Sequence, residues 1–166
     1  MTFDEYLRYR LGPLLRFATV VTCNPHLAED VVQEVLARAH PRWNHLARLE
    51  QPDAYLKRMV VNEYLSWRRR AARVVAVDLS TLLAAAPSAP DHAVIISERA
   101  DLIGRIAALT PKQRAVIALR YYDGRTDAEI AAVLGCGEGT VRSHASRALA
   151  TLRLGMTQPS VPEGQS

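Results

Sequence analysis

Apolar residues recur at three- and four-residue intervals through two long stretches, residues 2–73 and 94–154, and no stretch of any length alternates apolar with polar. Spacing near 3.6 buries one side of a helix, whereas a half-buried strand needs a period of two. The pattern predicts an all-α chain. In the first stretch, helices are expected over residues 3–22, bent near Gly12-Pro13, then 26–40 and 53–73, with "CNP" and "HPRW" as the breaks. In the second, they are expected over 94–108, 111–121, 127–134 and 138–154. Two of those starts carry a capping box: Thr110-Pro111-Lys112-Gln113, with proline at the first helical position, and Thr126-Asp127-Ala128-Glu129.

The segment between the two stretches differs in kind. "VVAVDLSTLLAAAPSAPDHA", residues 74–93, is poor in basic charge and ends in Pro87 and Pro90, which reads as a linker. Fully extended, about 20 residues span roughly 70 Å, enough to hold two small domains on separate surfaces. Residues 155–166 read as a polar tail. The expected organisation is two small helical domains, 1–73 and 94–154, joined by that linker.

Composition narrows the function classes. A content of 49% hydrophobic and 23% charged residues suits a modest core in a globular chain. No apolar run reaches membrane-spanning length, and "MTFDEYLRYR" lacks the apolar segment of a signal peptide, so no membrane partner and a cytoplasmic location are expected. Cys23 and Cys136 are too few for a disulfide framework or a cysteine zinc site and read as small buried hydrophobes. His26, His40, His45 and His92 show no metal-ligand spacing, and neither metal nor cofactor is expected. The net charge is only +4, but the cations are grouped. Lys57, Arg58, Arg68, Arg69, Arg70 and Arg73 form one cluster, and Arg142, Arg147 and Arg153 another. Clustered cations suit a polyanion, most often nucleic acid, because each neutralised phosphate releases counterions; a plain solvated helix face is the alternative.

"GCGEGTVRSH", residues 135–144, places three glycines at alternate positions ahead of a predicted helix. A dinucleotide fingerprint needs G-x-G-x-x-G entered from a strand, and a Walker loop needs G-K-[ST]. Position 140 is Thr, position 138 is Glu, no Lys follows, and the entering segment "TDAEIAAVL" is a capped helix. A nucleotide-dependent enzyme built on these glycines is therefore disfavoured, and no catalytic residue is expected. The pattern fits a helix-turn-helix instead. Ile130, Ala131 and Leu134 form the inner face of the first helix, Gly135 ends it in the left-handed conformation, Cys136 fills the space between helices, and Gly137 is the candidate N-cap of the second. In the second helix Val141, Ala145, Ala148, Leu149 and Leu152 face inward, leaving Arg142, Ser143, Ser146 and Arg147 outward. Arginine bonds a guanine edge bidentately, serine takes bases or phosphates, and a helix N-terminus favours phosphate.

The stretch "LTPKQRAVIALRYYDGRTDAEIAAVLGCGEGTVRSHASRALATLR" closely resembles region 4 of bacterial RNA polymerase sigma factors, a pattern shared with the C-terminal domains of LuxR-type response regulators. The N-terminal half discriminates: "HLAEDVVQEVLARAHPRW" resembles sigma region 2.2, and "PDAYLKRMVVNEYLSWRRR" resembles regions 2.3 and 2.4, as found in the extracytoplasmic-function (ECF) group. That group keeps only regions 2 and 4, which matches the two domains expected here. A stand-alone helix-turn-helix regulator of the LuxR type is the alternative reading.

The resemblance implies a factor without catalysis that binds core RNA polymerase, directs it to promoters and assists their opening. It implies contact with the β′ clamp helices through Asp30, Gln33, Glu34 and Arg38, on the polar side of a helix whose apolar side is Val31, Val32, Val35, Leu36 and Ala39. It implies −10 recognition by Lys57, Arg58, Asn62, Leu65, Arg68 and Arg69, read as outward, from a helix that buries Leu56, Met59, Val60, Tyr64 and Trp67. Capture of an unstacked base needs a pocket, for which the space between Trp43 and Tyr55 is the candidate. It implies −35 recognition by Thr140, Arg142, Ser143, His144, Ser146 and Arg147, and contact of region 4 with the β flap. Promoter DNA and an anti-sigma factor complete the implied partners. Two departures stand out: Gly137, where many relatives carry Ser or Thr, and His144, where Arg is common.

Overall fold

A computed structural model describes residues 1–77 and 97–154, and every regular element among them is helical. The chain divides into two units, one on either side of residue 97. The expected linker from residue 78 on and the expected tail, 155–166, lie outside the described residues, as does the expected start of a helix at residue 94.

The first unit holds α1 (Phe3–Thr22), α2 (Pro25–Ala39), a 3₁₀ turn (His40–Arg42), the short α3 (Trp43–Leu46) and α4 (Pro52–Val77). A capping box starts α1: Thr2 Oγ1 accepts from Glu5 N at 3.2 Å, and Glu5 Oε2 accepts from Thr2 N at 2.7 Å. The Glu5 carboxyl is held below the usual range, chiefly by that backbone N–H. The helix continues through Pro13, which lacks the N–H of a regular turn. The "CNP" break works residue by residue. Cys23 adopts φ 52° and closes α1 on the Thr19 carbonyl; Asn24 Oδ1 accepts from His26 N at 3.0 Å and Leu27 N at 3.1 Å; Pro25 opens α2. Tyr6, Leu14, Phe17 and Val21 of α1 then pack with Val31, Val32 and Val35 of α2 and with Leu56, Val60 and Tyr64 of α4 to form a buried core.

The second unit holds α5 (Ser97–Ala108), α6 (Pro111–Ile117), a π turn (Ala118–Tyr122), α7 (Asp127–Leu134) and α8 (Glu138–Leu154). Both expected capping boxes form, Thr110 with Gln113 and Thr126 with Glu129. Arg114 is buried and donates Nη1 to the Ala107 carbonyl at 3.2 Å and the Leu109 carbonyl at 3.4 Å, satisfying carbonyls at the end of α5. Gly135 ends α7 at φ 64°, ψ 38°, with its N–H on the Ala131 carbonyl, and the Gly137 carbonyl accepts from Val141 N at 3.1 Å to open α8.

Several expectations change. Where "HPRW" is expected to be a plain break, the chain makes the 3₁₀ turn and α3, and α4 runs to Val77, past the expected linker start at 74. The expected helix 111–121 changes to π geometry at Ala118, which accommodates one extra residue in the turn. Cys23 and Cys136 are half-buried rather than buried, since both sit in the tight turns that end helices.

Gly135→Ala puts a Cβ at a left-handed position and is expected to lower stability by about 1 kcal/mol. Gly137→Ser meets open space and supplies the missing side-chain cap, which is expected to raise stability by a few tenths of a kcal/mol. Thermal unfolding of the two variants against the parent chain checks both signs.

Candidate functional site

In the second unit the buried side of α8 is Val141, Ala145 and Ala148, with Leu149 and Leu152 half-buried. Thr140, Arg142, Ser143, Ser146 and Arg147 are all exposed, as the spacing predicts. His144 differs, being half-buried. Burial first, then the charges of Lys112 on α6 and Arg147 on α8, hold its imidazole below the ordinary histidine value. It is therefore neutral at pH 7 and brings one donor and one acceptor to this face rather than a charge. Arg142 makes an ion pair with Glu138 at 3.7 Å, one turn away and exposed on both sides, which constrains it little.

The turn before α7 is held by charge. Arg120 pairs with Asp127, and Arg125 donates to Asp123 Oδ2 at 2.8 Å and Glu129 Oε1 at 3.2 Å. Hydrogen bonds to Asp123 raise the Arg125 guanidinium above its usual value despite burial, and the Thr126 backbone N–H lowers the Glu129 carboxyl. This network fixes the start of α7, and through Gly135 the entry of α8, before any ligand arrives.

In the first unit α4 carries the central cationic cluster. Arg58, Asn62, Arg68 and Arg69 are exposed, as expected. Leu65 is not outward; it is only 9% exposed and joins Val61 in the core. Trp67, expected in the core, is 37% exposed and stacks on Tyr64 with ring centroids 6.4 Å apart. The buried stripe follows 56, 60, 61, 64 and 65, so residue 67 falls on its margin. Lys57 leaves the outward set as well. Its side chain is 12% exposed, paired with Asp53 at 2.9 Å and placed 5.8 Å over the Phe17 ring.

On α2, Asp30, Gln33, Glu34 and Arg38 are exposed along one face, opposite buried Val31, Val32, Val35 and Ala39. Arg38 links that face to α4: it pairs with Glu34 at 3.4 Å and with Glu63, which also accepts from Arg70 Nη2 at 3.0 Å. Burial works to raise the Glu63 carboxyl, but the hydrogen bonds from Arg70 and Arg38 outweigh it and hold the group below its usual value. A cleft of about 460 Å³ between the two helices is lined by Leu27, Asp30, Val31, Glu34, Arg38, Glu63, Trp67 and Arg70. Glu63, Trp67 and Arg70 thus join the α2 face, and neither helix's own spacing signals this cross-helix pairing.

Of the two residues expected to frame a base pocket, Tyr55 borders a described cleft and Trp43 does not line it. Trp43 is buried, donates Nε1 to the Met1 carbonyl at 3.1 Å and packs edge-on against Phe3. Tyr55 is exposed and borders a cleft of about 560 Å³ lined also by Ala37, Arg38, Ala39, Pro41, Arg42, Leu46 and Met59. This cleft lies beside the turn of residues 47–51 that joins α3 to α4.

Residues 6–74 match the family description Sigma-70 region 2, and residues 99–152 match Sigma-70, region 4. The RNA polymerase sigma-E factor of Streptomyces avermitilis is 37% identical over 154 residues, covering 92% of this chain and 84% of the relative. The ECF RNA polymerase sigma factor SigL of Mycobacterium tuberculosis is 35% identical over 164 residues, covering 96% and 89%. Among solved structures, the sigma factor RpoE from Bartonella quintana, crystallised with the anti-sigma factor NepR, matches with a TM-score of 0.72 at 26% identity, covering 93% of this chain and 96% of that one. Two sigma regions in this order leave the LuxR-type alternative without support. With regions 2 and 4 both matched and ECF factors matched over nearly their full length, the chain belongs to the ECF group of RNA polymerase sigma factors, non-enzymatic proteins that bind core polymerase and promoter DNA in transcription initiation.

Proposed function

We propose a division of labour among the exposed faces just described. Residues 1–73 act as region 2, 94–154 as region 4, 74–93 as the linker between them, its first four residues continuing α4, and 155–166 as a tail. The exposed side of α8 reads the −35 element. Arg142 and Arg147 take base edges or phosphates, Thr140, Ser143 and Ser146 add hydrogen bonds, and neutral His144 reads a base edge rather than neutralising a phosphate. The observation that carries this reading is the exposure of Thr140, Arg142, Ser143, Ser146 and Arg147 on the side of α8 opposite Val141, Ala145 and Ala148.

Arg58, Asn62, Arg68 and Arg69 of α4 face the −10 element. Lys57 and Leu65 act behind them, in packing. The turn of residues 47–51 and the cleft beside Tyr55 take an unstacked base, for which an exposed tyrosine ring with Arg38 and Arg42 nearby has suitable chemistry. Asp30, Gln33, Glu34 and Arg38 dock on the β′ clamp helices, with Trp67 as an apolar contact in the adjoining cleft, and region 4 meets the β flap. A cytoplasmic location fits this work; no described helix is long and apolar enough to cross a membrane. An anti-sigma factor is the regulatory partner we assign, by analogy with the Bartonella quintana protein solved with one.

Arg142→Ala is expected to change which −35 sequences are used, with about 1–3 kcal/mol lost at one base position. Transcription in vitro with core polymerase and a promoter library measures it, and an equal loss on every sequence would demote Arg142 to a phosphate contact. His144 supplies a pH test. Because its folded-state value is depressed below about 6.5, the folded chain binds this proton less readily than the unfolded chain. Its contribution is present above that pH and is lost as pH falls through the depressed value. The melting temperature should decline from pH 6.5 downward in the parent and stay flatter in His144→Gln. A further decline below about pH 4.5, from Glu5, Glu63 and Glu129, should appear in both.

A further inference from the structure

Tyr6, on the first helix, is fully buried and touches both helices that flank the turn joining α3 to α4. Its ring lies 4.9 Å from the Trp43 ring, tilted by 55°, at the start of α3. Its hydroxyl donates to Asp53 Oδ1 at 3.0 Å, in the first turn of α4. Residues 47–51 themselves are anchored to α3: Ala47 N bonds the Trp43 carbonyl at 2.8 Å, Arg48 N the His45 carbonyl at 3.2 Å, and Leu49 N the Leu46 carbonyl at 3.1 Å. On the other side, Tyr55 N bonds the Gln51 carbonyl at 3.2 Å as α4 begins. The turn is therefore fixed to α3 at one end and α4 at the other, and Tyr6 ties the two helices to each other. Asp53 is further held by Lys57 at 2.9 Å, and Lys57 lies over Phe17, again from α1.

We propose that Tyr6, through Asp53, is a positioning residue for −10 recognition: it sets the spacing between α3 and α4, and with it the shape of the 47–51 turn and of the cleft beside Tyr55. The proposal rests on the reading of that turn and cleft as the part that takes the unstacked base. Capturing a base costs the energy of unstacking it, so discrimination depends on walls held close to their working geometry. Tyr6 is itself buried, yet its side chain contacts α3 through Trp43 and α4 through Asp53, the helices on either side of the turn. The Asp53–Lys57 pair also explains why a lysine inside the basic cluster is turned away from solvent: it is employed in holding α4 to α1.

The test uses holoenzyme assembled from the full chain and core polymerase, on promoters with a fixed −35 element and every single substitution in the −10 element. The readout is the ratio of initiation on the preferred −10 sequence to that on each substituted one. Tyr6→Phe keeps the ring and removes the hydroxyl. It is expected to lower the ratio about three- to tenfold, the range one intramolecular hydrogen bond carries, with core polymerase affinity and −35 discrimination unchanged. Asp53→Ala should lower it similarly, whereas Asp53→Asn, which keeps an acceptor for Tyr6, should retain most of it. Should Tyr6→Phe fail to fold, the contrast between Asp53→Ala and Asp53→Asn decides alone. An unchanged ratio in Tyr6→Phe, a uniform loss on all promoters, or equal behaviour of the two Asp53 variants overturns the proposal. If the parent itself shows no −10 base discrimination, it is the underlying reading of the cleft that fails.

Discussion

The phase of the buried stripe on α4 governs the first unit. A three-helix core this small leaves a helix only one apolar face to bury, and whichever residues fall off that face become available for recognition. Here the stripe takes Leu56, Val60, Val61, Tyr64 and Leu65, so Arg58, Asn62, Arg68 and Arg69 are left outward and Trp67 sits at the edge. A shift of the stripe by one residue would bury Lys57, Asn62 and Ser66 in one direction, or Tyr55, Met59 and Glu63 in the other, and would expose Leu56 in both. The exposed cationic face of α4 is thus defined by the packing of its opposite side.

Charge pairing then sorts the cations that packing leaves. Lys57 is drawn inward by Asp53, and Arg38 and Arg70 are drawn together by Glu63, whereas no described ion pair engages Arg58, Arg68 or Arg69. A carboxylate held below its usual range between two arginines trades general attraction for polyanions against defined side-chain positions. In the second unit the same sorting holds Arg120 and Arg125 to the start of α7, while Arg142 keeps only an exposed pair with Glu138 and no described ion pair engages Arg147. Net charge alone is a poor guide to which arginines are left without an ion pair.

Local signals made much of this readable in the sequence. Capping boxes at Thr110 and Thr126, the glycine at 135 and the helical spacing of Val141, Ala145 and Ala148 each act within one or two turns, and each appears where expected. What escaped depends on contacts between distant residues. The burial of Leu65 and exposure of Trp67 depend on how α4 packs against α1 and α2. The inward turn of Lys57 depends on Phe17, and the pairing of Arg38 depends on Glu63. The stretch after α2 hid α3 for the same reason, since Trp43 is helical there while its ring packs against Phe3 and Tyr6.

The long reach of these contacts bears on how the two halves of the molecule are built. Around α7 and α8, the capping hydrogen bonds close over three residues, so the helix-turn-helix specifies itself from neighbouring sequence. Around the 47–51 turn, Tyr6 bonds a residue 47 positions away and Trp43 one 42 positions away. Contacts of such high order are formed late and slowly, after the chain entropy of a large loop has been overcome. The two turns are therefore held differently: the start of α7 by bonds within three residues, and the 47–51 turn by contacts between segments far apart in the chain.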